Sequence, residues 1–497
     1  MIRVTYKKLF FAGLAALALG ACKPKLDPVP ATTGKQIDLS RYIAVGNSLT
    51  AGYADGGLYN ESIANSYPAF IAGQFKLVGG GEFNQPFFEE AQKNGSGYLK
   101  IADWSAAGTP NIEPVTEGLA VTPTGLAPFT GSSNNNLGIP GIRAVDVTVP
   151  IYSQLNPFFQ RLLPPLTSKS YVNFAKEANP TFFTCWIGNN DVLGYATRGG
   201  DPTGLDITAG FPVNAAGEPG TITAPPLFNL SIDSLVNALT ANGAKGAIAT
   251  IPDVATIPFV RVLNGLIAQG AGGSFPRITF PLPNGITAAQ ANAFYLLNGY
   301  SNPGFTTGSN NFFVISVDNP NTMQKEVRQM NPATDFFLLS AQSVLTNPSS
   351  GLAAGLGVLK PNPNFNPNNP IGPGNTPAIP NEIPDGAVLD ASEVTDIRTY
   401  TSLFNDKIKL VAQTKGLAVV DADALFKQII TNNGIDGVAV SAAFISGGLF
   451  SLDGVHLTPK GYAIVANQFI KAINAQYGAK IPLIDINARN IRGVLFP

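Results

Sequence analysis

The chain has 497 residues, of which 45% are hydrophobic, so it can bury the core of one very large domain or of two to three ordinary ones. Its 31 Lys and Arg residues nearly balance its 32 Asp and Glu residues, and no basic run lies outside the extreme N-terminus, which argues against nucleic acid as a partner. The 52 glycines and 40 prolines indicate many loops and turns around the core.

The N-terminal segment has the pattern of a targeting sequence. Basic residues precede the apolar run LFFAGLAALAL, which is followed by GAC ending at Cys22. The pattern resembles a bacterial lipoprotein signal peptide and predicts a signal peptide over residues 1–21, a lipidated Cys22 and a flexible Pro-rich tether over 22–38. The alternatives are an ordinary secretory signal, or a membrane helix, with Cys22 incidental. The apolar run is short for spanning a bilayer.

The predicted lipidation of Cys22 has consequences for the location of the protein and for disulfide formation. The chain is expected to be exported and anchored to a membrane through Cys22, and Lys23 after it resembles lipoproteins of a bacterial outer membrane, on the periplasmic or the surface face. With Cys22 acylated, Cys185 is the one remaining thiol, so no intramolecular disulfide can form. Cys185 lies in the apolar run TFFTCWIG, which favours an inert core residue over a reactive thiol.

Five apolar runs predict the strands of a parallel sheet. In chain order they are RYIAVG at 41–46, NNLGI at 135–139, TFFTCWIG at 181–188, GAIATI at 246–251 and LAVVD at 417–421. Helical patterns lie between and after them, and this alternation predicts a three-layer α/β/α domain with right-handed crossovers over residues 39–497.

Three helices are predicted with their ends. SIDSLVNALTANG has apolar residues at helical spacing, and Gly243 is placed to end that helix. Asp390, with Glu393 three residues later, predicts a capping box at the start of the next helix. The last helix is predicted to begin with Thr458 as its N-cap and Pro459 in its first position.

Ser48 lies in RYIAVGNSLTAGY, where the first predicted strand enters a polar turn. A nucleophilic serine needs a base, usually a histidine oriented by a carboxylate, and donors for the oxyanion. The chain contains one histidine, His456, three residues after Asp453 in FSLDGVHLTPKGY. Taken alone, such a pair is more typical of a surface or helix-capping histidine. A single histidine also excludes a His-rich zinc site.

Four short motifs occur in the order that the SGNH (GDSL-type) hydrolases have them. GNSLTAG resembles the first block of that family, LGIPG the second, WIGNND the third and LDGVH the fifth. The resemblance implies a flavodoxin-like fold with a mostly parallel five-stranded sheet, and a serine esterase or lipase that requires neither a metal nor a cofactor. Asn47 departs from the family pattern, which has Asp before the nucleophile. Asp191 is interpreted as structural support for the third block rather than as a direct participant.

The resemblance assigns roles to five residues. Ser48 matches the nucleophile, and Asp453 and His456 match the two other triad members. The oxyanion hole is expected to consist of the Ser48 and Gly141 backbone N–H groups and the Asn190 side-chain amide.

Three long insertions enlarge the minimal domain, over residues 54–133, 192–229 and 255–388. Each follows the carboxyl end of a predicted strand, the edge where open α/β sheets bind ligands. They form either an elaborate surface or a cap over Ser48, and their apolar pieces favour a cap that covers a medium or long acyl chain.

The expected substrate is a small-molecule or lipid carboxylic ester. A carbohydrate deacetylase of the same family and a lipid-anchored binding protein on a degenerate hydrolase scaffold are the alternatives. The sequence leaves the leaving group and the oligomeric state open.

Overall fold

The computed structural model describes nine stretches of the chain: residues 31–34, 36–106, 110–200, 221–270, 274–317, 325–342, 358–368, 375–488 and 491–494. The predicted signal peptide, Cys22 and the tether as far as residue 30 lie outside them. Among the helices of the described stretches, none is both long enough and apolar enough to cross a membrane.

The described fold is mixed α/β, with one parallel sheet and several two-stranded antiparallel ones. The strands are β1 Tyr42–Gly46, β2 Leu99–Trp104, β3 Pro110–Pro114, β4 Val121–Thr122, β5 Gly125–Leu126, β6 Phe182–Trp186, β7 Lys245–Ala249, β8 Arg277–Phe280, β9 Gly308–Asn311, β10 Val314–Ser316, β11 Val327–Gln329, β12 Phe336–Phe337, β13 Leu359–Pro361, β14 Ala378–Pro380, β15 Val388–Leu389, β16 Ala418–Val420, β17 Gly434–Ile435 and β18 Val438–Ala439. The helices are α1 Ser48–Ala51, α2 Asn60–Ala64, α3 Tyr67–Lys76, α4 Tyr152–Leu155, α5 Pro157–Gln160, α6 Tyr171–Glu177, α7 Asn190–Ala196, α8 Pro225–Thr240, α9 Pro258–Gly270, α10 Ala288–Leu297, α11 Ala391–Lys415, α12 Ala422–Asn432 and α13 Pro459–Tyr477.

The parallel sheet has the strand order β1-β6-β7-β16. In its register Tyr42 pairs with Phe182 and Phe182 with Lys245. Every residue of β1 and β6 is buried, as expected for parallel strands that are covered on both faces. Four of the five predicted strands therefore exist, each slightly shorter than predicted or shifted by one residue.

The fifth predicted strand, over residues 135–139, is not a regular strand. It runs along β1 and is joined to it by backbone hydrogen bonds. Ala44 N–H donates to Asn135 O at 2.9 Å, and Leu137 N–H donates to Ala44 O at 2.8 Å. The pairing with β1 is nevertheless limited to one isolated parallel bridge at Asn136. The Asn136 side chain donates to Thr50 O and accepts from Gly138 N–H. Such side-chain bonds to the backbone compete with a regular ladder.

Helices pack against the sheet in two groups. α13 contacts α3, β7 and β16, and Phe469 of α13 stacks on Tyr67 of α3 with ring centroids 4.9 Å apart. α11 also contacts β7 and β16 and packs on α8, where Phe404 stacks on Phe228 with centroids 3.9 Å apart. These aromatic contacts belong to one large core that includes the sheet.

The predicted helix ends are largely confirmed. Asp390 and Glu393 form the capping box of α11, and Thr458 caps α13 by accepting a hydrogen bond from Gly461 N–H. The helix predicted from SIDSL begins earlier, at Pro225, because proline suits the first turn of a helix, where backbone N–H groups have no intrahelical partner. It ends at Thr240, before Gly243, which has a left-handed φ of +82°.

Cys185 lies in β6 and is fully buried with a free thiol. Burial raises its pKa to about 12, so the thiolate is not formed near neutral pH. The prediction that Cys185 lies in the core is therefore confirmed.

The insertion over residues 255–388 contains its own small cores. Its antiparallel pairs include β8 with β9 and β10 with β11, and its buried side chains form two clusters, one around Phe313 and Phe337 and one around Phe280 and Tyr295. It is attached to the loop that contains His456, since Phe259 N–H donates to Gly454 O at 3.0 Å.

Candidate active site

Ser48 is the first residue of α1, directly beyond the carboxyl end of β1. Asn47 is the N-cap residue, and its side-chain oxygen accepts a hydrogen bond from the second helical N–H at 3.1 Å. At Gly46, an added Cβ would lie 2.3 Å from the Trp186 carbonyl oxygen of the neighbouring strand. The small residue therefore allows the chain to turn sharply beside β6 and leaves the Ser48 side chain at the sheet edge.

The structure brings Ser48, His456 and Asp453 into one hydrogen-bonded chain. Nε2 of His456 lies 2.8 Å from Ser48 Oγ, and Nδ1 of His456 lies 2.8 Å from Asp453 Oδ2. The His456 and Asp453 side chains are 14% and 13% exposed, and Ser48 is 6% exposed. This limited exposure shields the chain of bonds from water while leaving Ser48 open to a cavity.

The Asp453 carboxylate accepts five hydrogen bonds. Oδ2 accepts from His456 Nδ1 and, at 2.9 Å, from Gly56 N–H. Oδ1 accepts from the backbone N–H groups of Val455 and His456 and from the Ser451 hydroxyl. Burial acts to raise the pKa of Asp453, but His456 and the hydrogen bonds outweigh it and hold this pKa well below its usual value. The carboxylate is therefore ionised near neutral pH.

The ionised carboxylate fixes the tautomer of His456. Oδ2 of Asp453 can only accept, so Nδ1 of His456 carries the proton. In the neutral imidazole, Nε2 is then the acceptor for the Ser48 hydroxyl. This is the protonation state that a general base requires.

Asp55 is hydrogen-bonded to the loop that contains Asp453. No local sequence signal predicts this role of Asp55. Its carboxylate accepts from Leu452 N–H at 2.9 Å and from the Tyr59 hydroxyl at 2.7 Å, while its own N–H donates to Ser451 Oγ at 2.9 Å. Burial is the main reason why its pKa rises to about 6. The segment after Ser48 thus holds Asp453 in position.

Tyr53 packs against the imidazole of His456, with ring centroids 4.6 Å apart at an interplanar angle of 47°. Its hydroxyl donates to Gly56 O at 2.6 Å, and its carbonyl oxygen accepts from the Tyr462 hydroxyl at 2.6 Å. Because both ends of Tyr53 are fixed, its ring restricts the rotation of His456.

The three expected oxyanion donors differ in their surroundings. Within the described stretches, the backbone N–H groups of Ser48 and Gly141 make no hydrogen bond. Asn190 is the first residue of α7, and one hydrogen of its amide is donated to Ile142 O at 2.9 Å. Asn190 lines the same cavity as Ser48, whereas Gly141, at a left-handed φ of +83°, is exposed and outside that lining.

Asn47, the departure from the family pattern, forms a buried pair with Asn189. Asn47 Nδ2 donates to Asn189 Oδ1 at 3.2 Å, and both residues are almost fully buried. The pair connects the first and third motifs beside Ser48 without adding a charge. Sequence reasoning gave no role to Asn189.

Asp191 connects the third motif to the segment after Gly141. Its Oδ2 accepts from Ala144 N–H at 2.6 Å, at the start of a 3₁₀ turn over Ala144–Thr148. Its Oδ1 makes no hydrogen bond of ordinary geometry to a described residue. The nearby Thr223 hydroxyl still acts to lower the pKa of Asp191. Burial dominates and raises the pKa of Asp191 to about 6. These contacts give Asp191 a supporting position away from the Ser48 hydroxyl.

A cavity opens beside Ser48 at the carboxyl edge of the sheet. Asn189, Asn190 and His456 supply polar groups, and the apolar lining includes Leu49, Leu193, Val254, Ile257, Phe426 and Phe450. Of the three predicted insertions, the described lining includes only Leu193, Thr256 and Ile257.

Comparison with family models, with curated proteins and with solved structures finds no match for this chain. The geometry around Ser48 therefore carries the functional interpretation.

Proposed function

We propose that this protein is a serine hydrolase that cleaves carboxylic esters with Ser48 as nucleophile, His456 as base and Asp453 as its orienting carboxylate. The observation that carries the proposal is the chain of two hydrogen bonds of 2.8 Å each through the single histidine. A binding protein on the same scaffold would have no need of an imidazole that is aligned at both nitrogens.

In the proposed mechanism, Ser48 Oγ attacks the ester carbonyl carbon while Nε2 of His456 accepts the hydroxyl proton. Asp453 stabilises the imidazolium that forms. When the tetrahedral intermediate collapses, the bond to the alcohol oxygen breaks, and that oxygen takes the proton from Nε2. A water molecule, deprotonated by His456, then attacks the acyl group on Ser48. This step releases the carboxylic acid and restores the serine hydroxyl.

The negative oxygen of the intermediate needs donors that are in place before the reaction. Ser48, whose backbone N–H is free, and Asn190, whose amide has a second hydrogen, both line the cavity. Gly141, whose N–H is also free, precedes Ile142, to which Asn190 is bonded. Each such donor is worth about 3 kcal/mol of transition-state stabilisation in enzymes where it has been removed.

The proposal also includes a five-stranded parallel sheet of flavodoxin-like order. If the segment over residues 135–139 is counted as the fifth strand, the order becomes 135–139, β1, β6, β7, β16, which is the flavodoxin-like order. The two groups of helices around α13 and α11 support a three-layer arrangement. Together with the four motifs, this order supports membership of the SGNH hydrolases.

The proposed location rests on the sequence of the N-terminal segment. A lipid on Cys22 would tether the domain to a bacterial membrane, most simply the outer membrane, through the segment that ends near residue 38. The substrate would then be an ester available at the periplasmic or the outer surface.

The proposal is tested by hydrolysis of p-nitrophenyl esters and by labelling with a fluorophosphonate, which reacts with activated serines. The Ser48→Ala variant is expected to lose both activities while keeping its circular dichroism spectrum. The matched control is Ser153→Ala, which removes another buried serine hydroxyl, one that donates to Pro150 O, and should retain both activities. Wild-type turnover in the Ser48→Ala variant would refute the proposal, as would an intact protein that hydrolyses no ester.

A further inference from the structure

We infer that the cavity beside Ser48 is an acyl pocket for short, uncharged acyl chains of about two to four carbons. This inference rests on the proposed ester hydrolysis and deepens it by naming the substrate class. It differs from the medium or long chain that the apolar insertions predicted.

The size of the cavity limits the chain length. The cavity has a volume of about 40 Å³, which is room for only a few water-sized groups. Its walls include Ile257, Phe426 and Phe450, which are 6%, 6% and 2% exposed and belong to the main core. A longer chain would have to displace side chains that are packed in the core, and packed cores resist such displacement.

The lining also selects against charge. Asp253 lies in the wall, and its Oδ2 already accepts a hydrogen bond from Arg398 Nε at 2.9 Å. Since the Asp253 charge is already paired, an acyl chain that ends in a carboxylate would find no cationic partner among the described lining residues and would be buried against apolar side chains. The remaining wall is rich in aliphatic and aromatic carbon, which suits methyl and methylene groups.

The buried wall of the cavity indicates which half of the ester lies against it. After the first step the acyl group remains bonded to Ser48, whereas the alcohol has to leave before water can attack. An alcohol held against the buried side chains Phe426 and Phe450 would leave more slowly than one in contact with solvent. The acyl group is therefore assigned to the buried wall and the alcohol to the open side.

The chain offers variants that change the pocket outside the catalytic machinery. Phe426 is on α12, and truncating it removes part of the wall. Leu425 is its neighbour on the same helix, is also 6% exposed and does not line the cavity, so Leu425→Ala is a matched control. Leu193 is partly exposed at the cavity, so Leu193→Phe narrows the pocket with little disturbance of the core.

The experiment measures kcat/KM for p-nitrophenyl acetate, butyrate and octanoate. For the intact protein, we expect kcat/KM for the butyrate ester to be at least as high as for the acetate ester. We expect kcat/KM for the octanoate ester to be at least tenfold lower than for the butyrate ester. Phe426→Ala should raise the octanoate-to-butyrate ratio at least tenfold, and Phe426→Leu should raise it less; the latter serves if the alanine variant does not fold. Leu425→Ala should leave the ratio unchanged, and Leu193→Phe should lower butyrate relative to acetate.

Further measurements distinguish a failure of the proposed pocket from a failure of the proposed function. Ethyl and hexyl butyrate should be hydrolysed within about threefold of each other, and a change in this alcohol preference in Phe426→Leu would overturn the assignment of the acyl side. Ser48-dependent hydrolysis that favours octanoate, or a ratio unchanged in folded Phe426→Leu, overturns the short pocket and leaves the proposed function standing. Absence of hydrolysis with all esters overturns the proposed function and the pocket with it.

Discussion

Replacing the buried carboxyl of Asp191 by an amide should stabilise the protein at neutral pH. Asp191 is fully buried, and its Oδ2 accepts a hydrogen bond from Ala144 N–H at 2.6 Å. In the Asp191→Asn variant the amide oxygen can accept the same hydrogen bond, so the position of the turn that begins at Ala144 is kept. What the variant loses is the net cost of the negative charge in the core, which is the penalty of burial less the attraction to Arg143.

The magnitude follows from the pKa of the carboxyl. Burial raises the pKa of Asp191 from its ordinary 3.8 to about 6, and at 1.36 kcal/mol per unit of pKa this corresponds to about 3 kcal/mol. Well below pH 3.8 the group is protonated in both the folded and the unfolded chain, so its ionisation does not affect stability there. Between 3.8 and about 6 the unfolded chain releases the proton first. The free energy of unfolding therefore falls as the pH rises through this window.

The assay is urea unfolding of both proteins, followed by circular dichroism, at intervals from pH 4 to pH 8. The free-energy difference in favour of Asp191→Asn should be smallest at pH 4 and should grow by about 2.5 kcal/mol between pH 4 and pH 8. Asp103→Asn, which removes an exposed carboxylate of β2, is the control and should show no comparable change with pH. Parallel pH dependence of Asp191→Asn and the unmodified protein would refute the reasoning.

Two further predictions test the proposed roles of Asp453 and of Cys22. Oδ1 of Asp453 accepts three hydrogen bonds, so in Asp453→Asn the amide oxygen should stay at that position and the amino group should face Nδ1 of His456. The proton would move to Nε2, and kcat on nitrophenyl esters should fall roughly 10⁴-fold with the fold intact; a loss below tenfold would contradict this tautomer argument. Cys22→Ser should release the protein from the membrane fraction or block its processing, as judged by fractionation. Cys185→Ser should do neither, and retention of processed Cys22→Ser in the membrane would exclude a lipid anchor on that residue.

The parts of the molecule that depend on local signals could be predicted from the sequence. Asp390 with Glu393, and Thr458 with Pro459, mark helix starts by side-chain chemistry within one turn, and the structure has both starts there. The buried strands are recognisable because a parallel strand covered on both faces is a continuous apolar run. The motif residues Ser48, Asp453 and His456 are recognisable from short local patterns as well, and they lie in contact.

The parts that depend on distant pairing could not be predicted. Gly56 N–H donates to the Asp453 carboxylate and Leu452 N–H donates to the Asp55 carboxylate, each across 397 residues, and such backbone donors have no residue-type signature. NNLGI has the apolar end of a strand, but its asparagines bond to the backbone and interrupt the ladder. Strands of two residues such as β12 are too short to show any period.

The contact between Ser48 and His456 joins residues that are 408 positions apart in the chain. Closing a loop of that length costs roughly 5 kcal/mol of chain entropy, and burial of the large core that the chain builds between the two residues offsets it. During synthesis Ser48 emerges 408 positions before His456, so until then a nascent chain would lack the proposed base of Ser48. The same holds for any fragment that a protease cuts away before the final helix. Under the proposed chemistry, hydrolysis is therefore a property of the finished fold, and it begins only when both ends of the domain have met.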